Sequence, residues 1–149
     1  MVSVLILSHG GLAAELLKAA ETIAGGVPQG MTAVCLDWED SFEEARQRTS
    51  RAVQELDPRD GLLILTDMYG GTPFNVALSF VDSKSVQVLA GVNLPMVLRL
   101  CCMGSARMNP EELVAWIEEK GRRSICHSNG TLETAADPRD CEEADRKPK

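Results

Sequence analysis

Four short apolar runs, each bounded by glycine or polar residues, divide the first ninety residues of the chain. None is long enough to form a helix by itself, and such aliphatic runs are typical of strands that are buried on both faces. The four runs are Val4–Leu7, Ala33–Leu36, Leu62–Leu65 and Val86–Leu89. This pattern predicts four buried parallel strands.

Helical patterns lie between and after these runs. Apolar residues recur at three- and four-residue spacing after the first run, Ser41 is placed to cap the second segment, and prolines suit the first turns of the others. The predicted helices are Leu12–Ile23, Phe42–Leu56, Pro73–Val81, Pro95–Met103 and Pro110–Lys120. Strands that alternate with helices predict right-handed βαβ units. We therefore expect an α/β fold with a single open, mainly parallel sheet of order 2-1-3-4 and helices on both faces.

The last part of the chain has a different pattern. Ser124–His127 predicts one late strand, and the residues after it are polar and charged with few large apolar side chains. Segments of this composition bury too little apolar surface to fold on their own. We therefore divide the chain into one domain over residues 1–127 and a mobile charged tail over residues 128–149.

Composition narrows the functional class. The chain has 149 residues and 44% hydrophobic residues, which suffices for one domain with a core. Its net charge of −7, without a basic cluster, argues against nucleic acid and anionic membrane surfaces as partners. No apolar run approaches the roughly 20 residues that span a bilayer, the start lacks a basic signal-peptide region, and the five cysteines form no C-x-x-C pair. We expect a cytoplasmic protein.

Candidate chemistry lies in the loops after the strands. In an open parallel sheet, reactions take place beyond the carboxyl ends of the strands, where the strand order reverses. If the strand order is 2-1-3-4, strands one and three are neighbours, and His9 and Asp67 lie side by side at that point. A carboxylate beside an imidazole holds the proton of one ring nitrogen and leaves the other nitrogen as a nucleophile. The loop Gly70-Gly71-Thr72, which precedes the helix at Pro73, suits an anionic group.

Each feature alone also fits a simpler role, such as a turn or a cap, and their shared position favours the functional interpretation. The other histidine, His127, is interpreted as structural or incidental, and the pair Cys101-Cys102 as packing residues. Trp38, near the end of strand two, fits either the rim of the site or the packing of the fold, and packing is the favoured interpretation. We find no cluster of metal ligands and no Walker A pattern, so neither a metal, nor another cofactor, nor ATP is expected.

Three ordered motifs resemble a known family over roughly residues 2–125. They are Ser8-His9-Gly10, Asp67 with Gly70-Gly71-Thr72-Pro73-Phe74-Asn75, and Gly91-Val92-Asn93-Leu94-Pro95-Met96. Together they are similar to the IIA domain of the mannose family (mannose, fructose and sorbose) of the phosphoenolpyruvate-dependent sugar phosphotransferase system.

The resemblance implies a phosphotransferase that works as a histidine phosphocarrier. His9 would accept a phosphoryl group on Nε2 from phospho-HPr and pass it to a IIB protein, while Asp67 orients the ring. The resemblance further implies phosphoryl contacts from Gly70, Gly71 and Thr72, and a homodimer in which the strand Ser124–His127 crosses to the partner. The remaining candidates are expected at the rim of the site: Ser8, Gly10, Asn75 and Asn93.

Relatives often continue through a linker into a IIB domain, whereas residues 128–149 are too few for one. We therefore expect a separate acceptor protein, in sugar uptake or in its regulation. Two alternatives remain open. The first is the phosphocarrier subunit of a phosphotransferase-dependent dihydroxyacetone kinase, against which the Gly-Gly-Thr-Pro-Phe-Asn loop argues. The second is a non-catalytic, flavodoxin-like module for ligand binding or regulation.

Overall fold

Four parallel strands form one sheet in the order β2-β1-β3-β4. The computed structural model describes residues 1–82, 84–104, 107–125 and 127, so the predicted tail over residues 128–149 lies outside the described residues. The strands are β1 (Ser3–His9), β2 (Met31–Leu36), β3 (Leu62–Thr66) and β4 (Val86–Ala90). The predicted sheet and its order are confirmed.

The two central strands carry the most apolar sequence. β3 is buried along its whole length and β1 is buried up to His9, whereas β4 and most of β2 are only half-buried because they form the edges. The register pairs Leu7 with Thr66 on β3, and His9 with Leu36 on β2. The carboxyl ends of β1 and β3 therefore lie level with each other.

In the described residues five helices cover the sheet, and each predicted helix is present. They are α1 (Leu12–Ala24), α2 (Phe42–Leu56), α3 (Thr72–Leu78), α4 (Leu94–Cys102) and α5 (Pro110–Arg123). The prediction for α3 was three residues too long: the amides of Ser79, Phe80 and Val81 donate to carbonyls three residues back, so the helix ends in tighter turns.

Local chemistry explains where the helices begin. In α2 and α5 a capping box is formed: Ser41 and Asn109 accept from the backbone amides of Glu44 and Glu112, whose side chains accept from the cap amides. At the other end of α1, Gly25 adopts a left-handed conformation with φ of 83°.

The core lies on both faces of the sheet. Val4 and Ile6 of β1 pack among side chains of α1, α4 and α5, whereas Leu5 and Leu7 pack among side chains of α2 and α3. The crossovers through α1 and α3 therefore cover opposite faces. They diverge at the carboxyl ends of β1 and β3, which is the place where open parallel sheets have their ligand-binding crevice.

In the part of the chain that the structure describes, no helix is both long enough and apolar enough to cross a bilayer. The predicted late strand is not formed at its described positions: Ser124 ends α5 by donating to the carbonyl oxygens of Lys120 and Gly121, and neither Ile125 nor His127 is in a strand. Cys126 lies outside the described residues. Exchange of this segment between two subunits stays a prediction.

Candidate functional site

His9 is the last residue of β1 and stands at the crevice. Gly10 follows with a φ of 51°, a left-handed conformation that turns the chain away from the strand, and its amide donates to the carbonyl of Leu36 at 2.8 Å. The side chain of His9 is 18% exposed. The imidazole is therefore fixed by its backbone at the mouth of the crevice and still accessible from one side.

Asp67 follows β3 and contacts His9 twice. Its Oδ2 lies 2.8 Å from Nδ1 of His9 and accepts the backbone amide of His9 at 3.0 Å, while Oδ1 accepts the amide of Met68 at 3.0 Å. A carboxylate accepts hydrogen bonds, so in the neutral ring this contact favours the tautomer with the proton on Nδ1 and the lone pair on Nε2. The structure thus places the two residues side by side, as the strand order predicts.

Gly71 lies against the edge of the imidazole that carries Nε2. A Cβ atom at this position would stand 2.8 Å from Cε1 of His9 and 3.4 Å from Nε2. Contacts below about 3 Å are too short for carbon atoms, so only glycine leaves room for the ring here. With φ of −76° its backbone is ordinary, which means that close approach, and not strain, requires the glycine.

The loop around Gly71 is braced by its own residues. Gly70 has a φ of 78°, and Asn75 donates its amide to the carbonyl of Gly71 at 3.0 Å and its side-chain Nδ2 to the carbonyl of Gly70 at 3.4 Å. Thr72 is exposed and begins α3, where first-turn amides have no helical acceptor. Of these residues, Gly71 is the one that lies against the His9 ring, and the contacts of Gly70, Gly71 and Thr72 with a phosphoryl group stay a prediction.

Two other candidates support the fold around the site. Ser8 is fully buried, and its Oγ accepts the backbone amide of Ala13 at 2.7 Å, so this side chain lies beneath the site and not on its rim. Asn93 caps α4 by accepting from Met96 and donates to the carbonyl of Gly121 at 3.4 Å. No described hydrogen bond joins Asn93 to His9, and its place at the rim stays a prediction.

For Trp38 the structure overturns the favoured interpretation as a packing residue and supports the alternative, a place at the site. It is 80% exposed and does not pack in the core. Its indole stacks on the imidazole of His9, with ring centroids 4.9 Å apart and an angle of 15° between the planes. The only signal in the sequence was its position just after the second strand, at the same edge of the sheet as His9.

Within the described ranges, no group of three His, Cys, Asp or Glu side chains is placed to hold a metal ion. The arrangement instead presents one nucleophilic nitrogen with a carboxylate behind it and a glycine loop beside it. Such a site is suited to transfer of a small anionic group.

Comparisons with known proteins agree with this geometry. A family model described as the PTS system fructose IIA component matches residues 3–118. The mannose-specific EIIAB component of Escherichia coli K12 is 32% identical over 130 residues, which are 83% of this chain and 38% of that protein. The fructose-specific EIIA component of Bacillus subtilis is 30% identical over 101 residues, 67% of this chain and 68% of that one.

The fold agrees as well. The mannose/sorbose-specific IIA subunit of the phosphotransferase system from Enterococcus faecalis superposes with a TM-score of 0.77 at 26% identity, covering 89% of this chain and 98% of that one. The chain spans little more than a third of the Escherichia coli relative's length. From the family model, these relatives and the shared fold, we conclude that the chain belongs to the mannose-family IIA domains of the sugar phosphotransferase system.

Proposed function

We infer that the chain is a phosphoryl carrier whose His9 takes a phosphoryl group from phospho-HPr and passes it to a IIB protein, in sugar uptake or in its regulation. The observation that supports this most is the 2.8 Å contact between Asp67 Oδ2 and Nδ1 of His9. In the neutral ring this contact favours the tautomer in which Nε2 carries the lone pair and can act as the nucleophile, and the ring is partly exposed.

In the proposed step, Nε2 of His9 attacks the phosphorus of the donor phosphohistidine. The donor's nitrogen–phosphorus bond breaks and its electron pair returns to the donor ring, while a new bond forms to Nε2. Nδ1 keeps its proton, so the His9 ring gains positive charge, which the carboxylate of Asp67 stabilises across the hydrogen bond. Transfer to the IIB protein is the same step in reverse, with His9 as the donor.

The phosphoryl oxygens need donors but little covalent machinery, because phosphoryl transfer depends mainly on positioning and charge stabilisation. We assign this role to the backbone of Gly70 and Gly71 and to Thr72. The support is the position of Gly71, whose missing side chain would otherwise reach the edge of the ring that carries Nε2.

A protein donor fits the surface around the site. Trp38 and Tyr69 are about four-fifths exposed, and Met68 and Leu12 are about half exposed, all close to His9 or Asp67 in the chain or in space. Exposed aromatic and methionine side chains that cluster around a reactive group are typical of protein–protein contact surfaces. We therefore propose that donor and acceptor are both cytoplasmic proteins that dock on this surface in turn.

Dimerisation is also part of the proposal. Ile125, directly after α5, is 84% exposed, and β4 is an edge strand. An exposed apolar side chain and an open strand edge both favour pairing with a second chain. Light scattering of the wild type and of Ile125→Asp tests this: a dimer that the substitution weakens supports it, and a wild-type monomer contradicts it.

The phosphocarrier role is tested with enzyme I, HPr and phosphoenolpyruvate, read by intact mass at neutral pH. We expect one acid-labile phosphate on the wild type, none on His9→Ala, and full uptake by His127→Ala, the matched control on the other histidine. Phosphorylated protein is then mixed with IIB candidates and with subunits of a dihydroxyacetone kinase. Phosphate on His9→Ala, or none on the wild type with a cognate HPr, would contradict the proposal.

A further inference from the structure

Trp38 covers one face of the His9 ring, although it belongs to neither of the loops that carry His9 and Asp67. Its indole is nearly parallel to the imidazole, and a Cβ atom on Gly10 would lie 3.6 Å from its Nε1, so the indole extends from His9 over the following residue. Burial in the core would hide more of this large apolar side chain. Because the side chain is exposed instead, we attribute its position to a role at the site.

The loop that carries Trp38 is held firmly. Arg48 of α2 donates through Nη1 to Asp40 at 2.6 Å and to Asp37 at 3.2 Å, and through Nη2 to the carbonyl of Cys35 at 2.6 Å. Asp40 also accepts the amide of Asp37 at 2.9 Å. One guanidinium thus ties the end of β2 to both sides of Trp38, and the indole is presented to His9 in advance of any partner.

We propose that Trp38 is a positioning residue for His9, holding the imidazole by its face and favouring the cationic ring of the phosphorylated state. The proposal rests on the phosphocarrier function inferred above. Asp67 holds the ring at Nδ1 and Gly71 limits it at the Cε1–Nε2 edge. The indole covers one face of the ring. The imidazole therefore has little freedom to rotate, and the orientation of Nε2 is fixed.

The second part of the role is electrostatic. The phosphorylated ring keeps its proton on Nδ1 and is cationic, and the face of an indole carries the negative part of its quadrupole. Stacking of this kind strengthens as the ring gains charge during transfer. The interaction corresponds to a change of about 3- to 10-fold in the transfer rate, the range measured for aromatic pairs and exposed cation–π contacts.

The test compares single-turnover phosphorylation by phospho-HPr in the wild type, Trp38→Ala and Trp38→Phe over a range of HPr concentrations. We expect Trp38→Ala to lower the maximal rate, measured at saturating HPr, about 3- to 10-fold whether or not it also raises the half-saturating concentration, and Trp38→Phe to restore most of the rate. Trp116→Phe is the control on the other tryptophan. A raised half-saturating concentration with an unchanged maximal rate would overturn the proposal, because Trp38 would then serve only to dock HPr.

A second measurement does not depend on phosphorylation. The ring protons of His9 and His127 are compared by NMR in the unphosphorylated protein. Removal of the indole by Trp38→Ala is expected to shift the His9 signals, through loss of the ring current, and to leave those of His127 unchanged. Unmoved His9 signals would overturn the stack itself. If the wild type takes up no phosphate but the His9 signals move, the phosphocarrier function fails while the stack stands.

Arg48 provides a test of whether its hydrogen bonds hold the loop that carries Trp38 in place. Arg48→Met keeps the aliphatic part of the side chain and removes the hydrogen bonds to Cys35, Asp37 and Asp40. We expect it to lower the maximal rate by less than Trp38→Ala and to have no further effect in the Trp38→Ala background, since contributions that act through one group are not additive. Equal effects of Arg48→Met in both backgrounds would show that Arg48 does not act through Trp38.

Discussion

Replacement of Asp67 by asparagine separates the charge of this side chain from its hydrogen bond. Asparagine is nearly the same size and keeps one oxygen that can accept the Nδ1–H of His9. In the wild type, Oδ2 of Asp67 lies 2.8 Å from Nδ1. What asparagine loses is the negative charge opposite the ring that becomes cationic. With the asparagine oxygen in the place of Oδ2, which also accepts the backbone amide of His9 at 3.0 Å, the NH₂ group replaces Oδ1 and leaves the backbone amide of Met68 without its acceptor at 3.0 Å.

The expected loss of rate follows from the difference in strength between hydrogen bonds to charged groups and to neutral groups. Hydrogen bonds to charged groups contribute roughly 1.5–3 kcal/mol and neutral ones roughly 0.5–1.5 kcal/mol, so Asp67→Asn removes about 1–2 kcal/mol of transition-state stabilisation. Since about 1.4 kcal/mol changes a rate tenfold, we expect transfer to slow by about 5- to 30-fold. Asp67→Ala removes the orientation of the ring as well and is expected to slow transfer by about 10²–10⁴.

The assay is single-turnover transfer from phospho-HPr at saturating concentration, followed by rapid quench at high pH and intact mass. Asp82→Asn, in the exposed turn after α3, removes the same charge away from the site and is expected to behave as the wild type. Circular dichroism checks that both variants are folded. Wild-type rates for Asp67→Asn would refute the charge argument, and wild-type rates for Asp67→Ala would refute the role of Asp67 altogether.

Three further predictions test other parts of the structure. Gly71→Ala places a methyl group 2.8 Å from Cε1 of His9 and should abolish most phosphate uptake in a folded protein. Gly11→Ala is the control, because its methyl group enters open space two residues from His9 and uptake should be unchanged. Equal uptake by the two variants would contradict the close approach of Gly71 to the ring. Ser8→Ala leaves the buried amide of Ala13 without its acceptor and should lower the free energy of unfolding by about 1–3 kcal/mol in urea titration, and an unchanged urea midpoint would show that the amide finds another partner. Burial raises the pKa of the Cys101 thiol to about 11, so at pH 8 iodoacetamide should modify it about a hundredfold more slowly in the folded protein than in urea, as read by peptide mass; rapid labelling of the folded protein would contradict this.

Much of the fold could be predicted from local patterns. The bounds of α2 follow from Ser41 at its start and the end of the apolar period at Leu56, and the structure has the same bounds. The alternation of strands and helices predicts one parallel sheet with right-handed connections, because few connections of parallel strands are sterically allowed. The order 2-1-3-4 is the further condition under which His9 and Asp67 meet, and the structure confirms both the order and the contact. These features depend on interactions between residues close in sequence and on the handedness of the chain.

What the sequence by itself determined was therefore the parallel sheet, its helices and, given the strand order 2-1-3-4, the pair at the switch point. Only the tertiary structure decided the surroundings of the pair. Trp38 lies on His9 because Arg48 ties the loop to the carbonyl of Cys35, and Ser8 is buried because α1 begins above it. Such orientations depend on contacts between segments distant in the chain, which leave no periodic signal in the sequence. The stacking of Trp38 on the imidazole could therefore be seen only in the folded molecule.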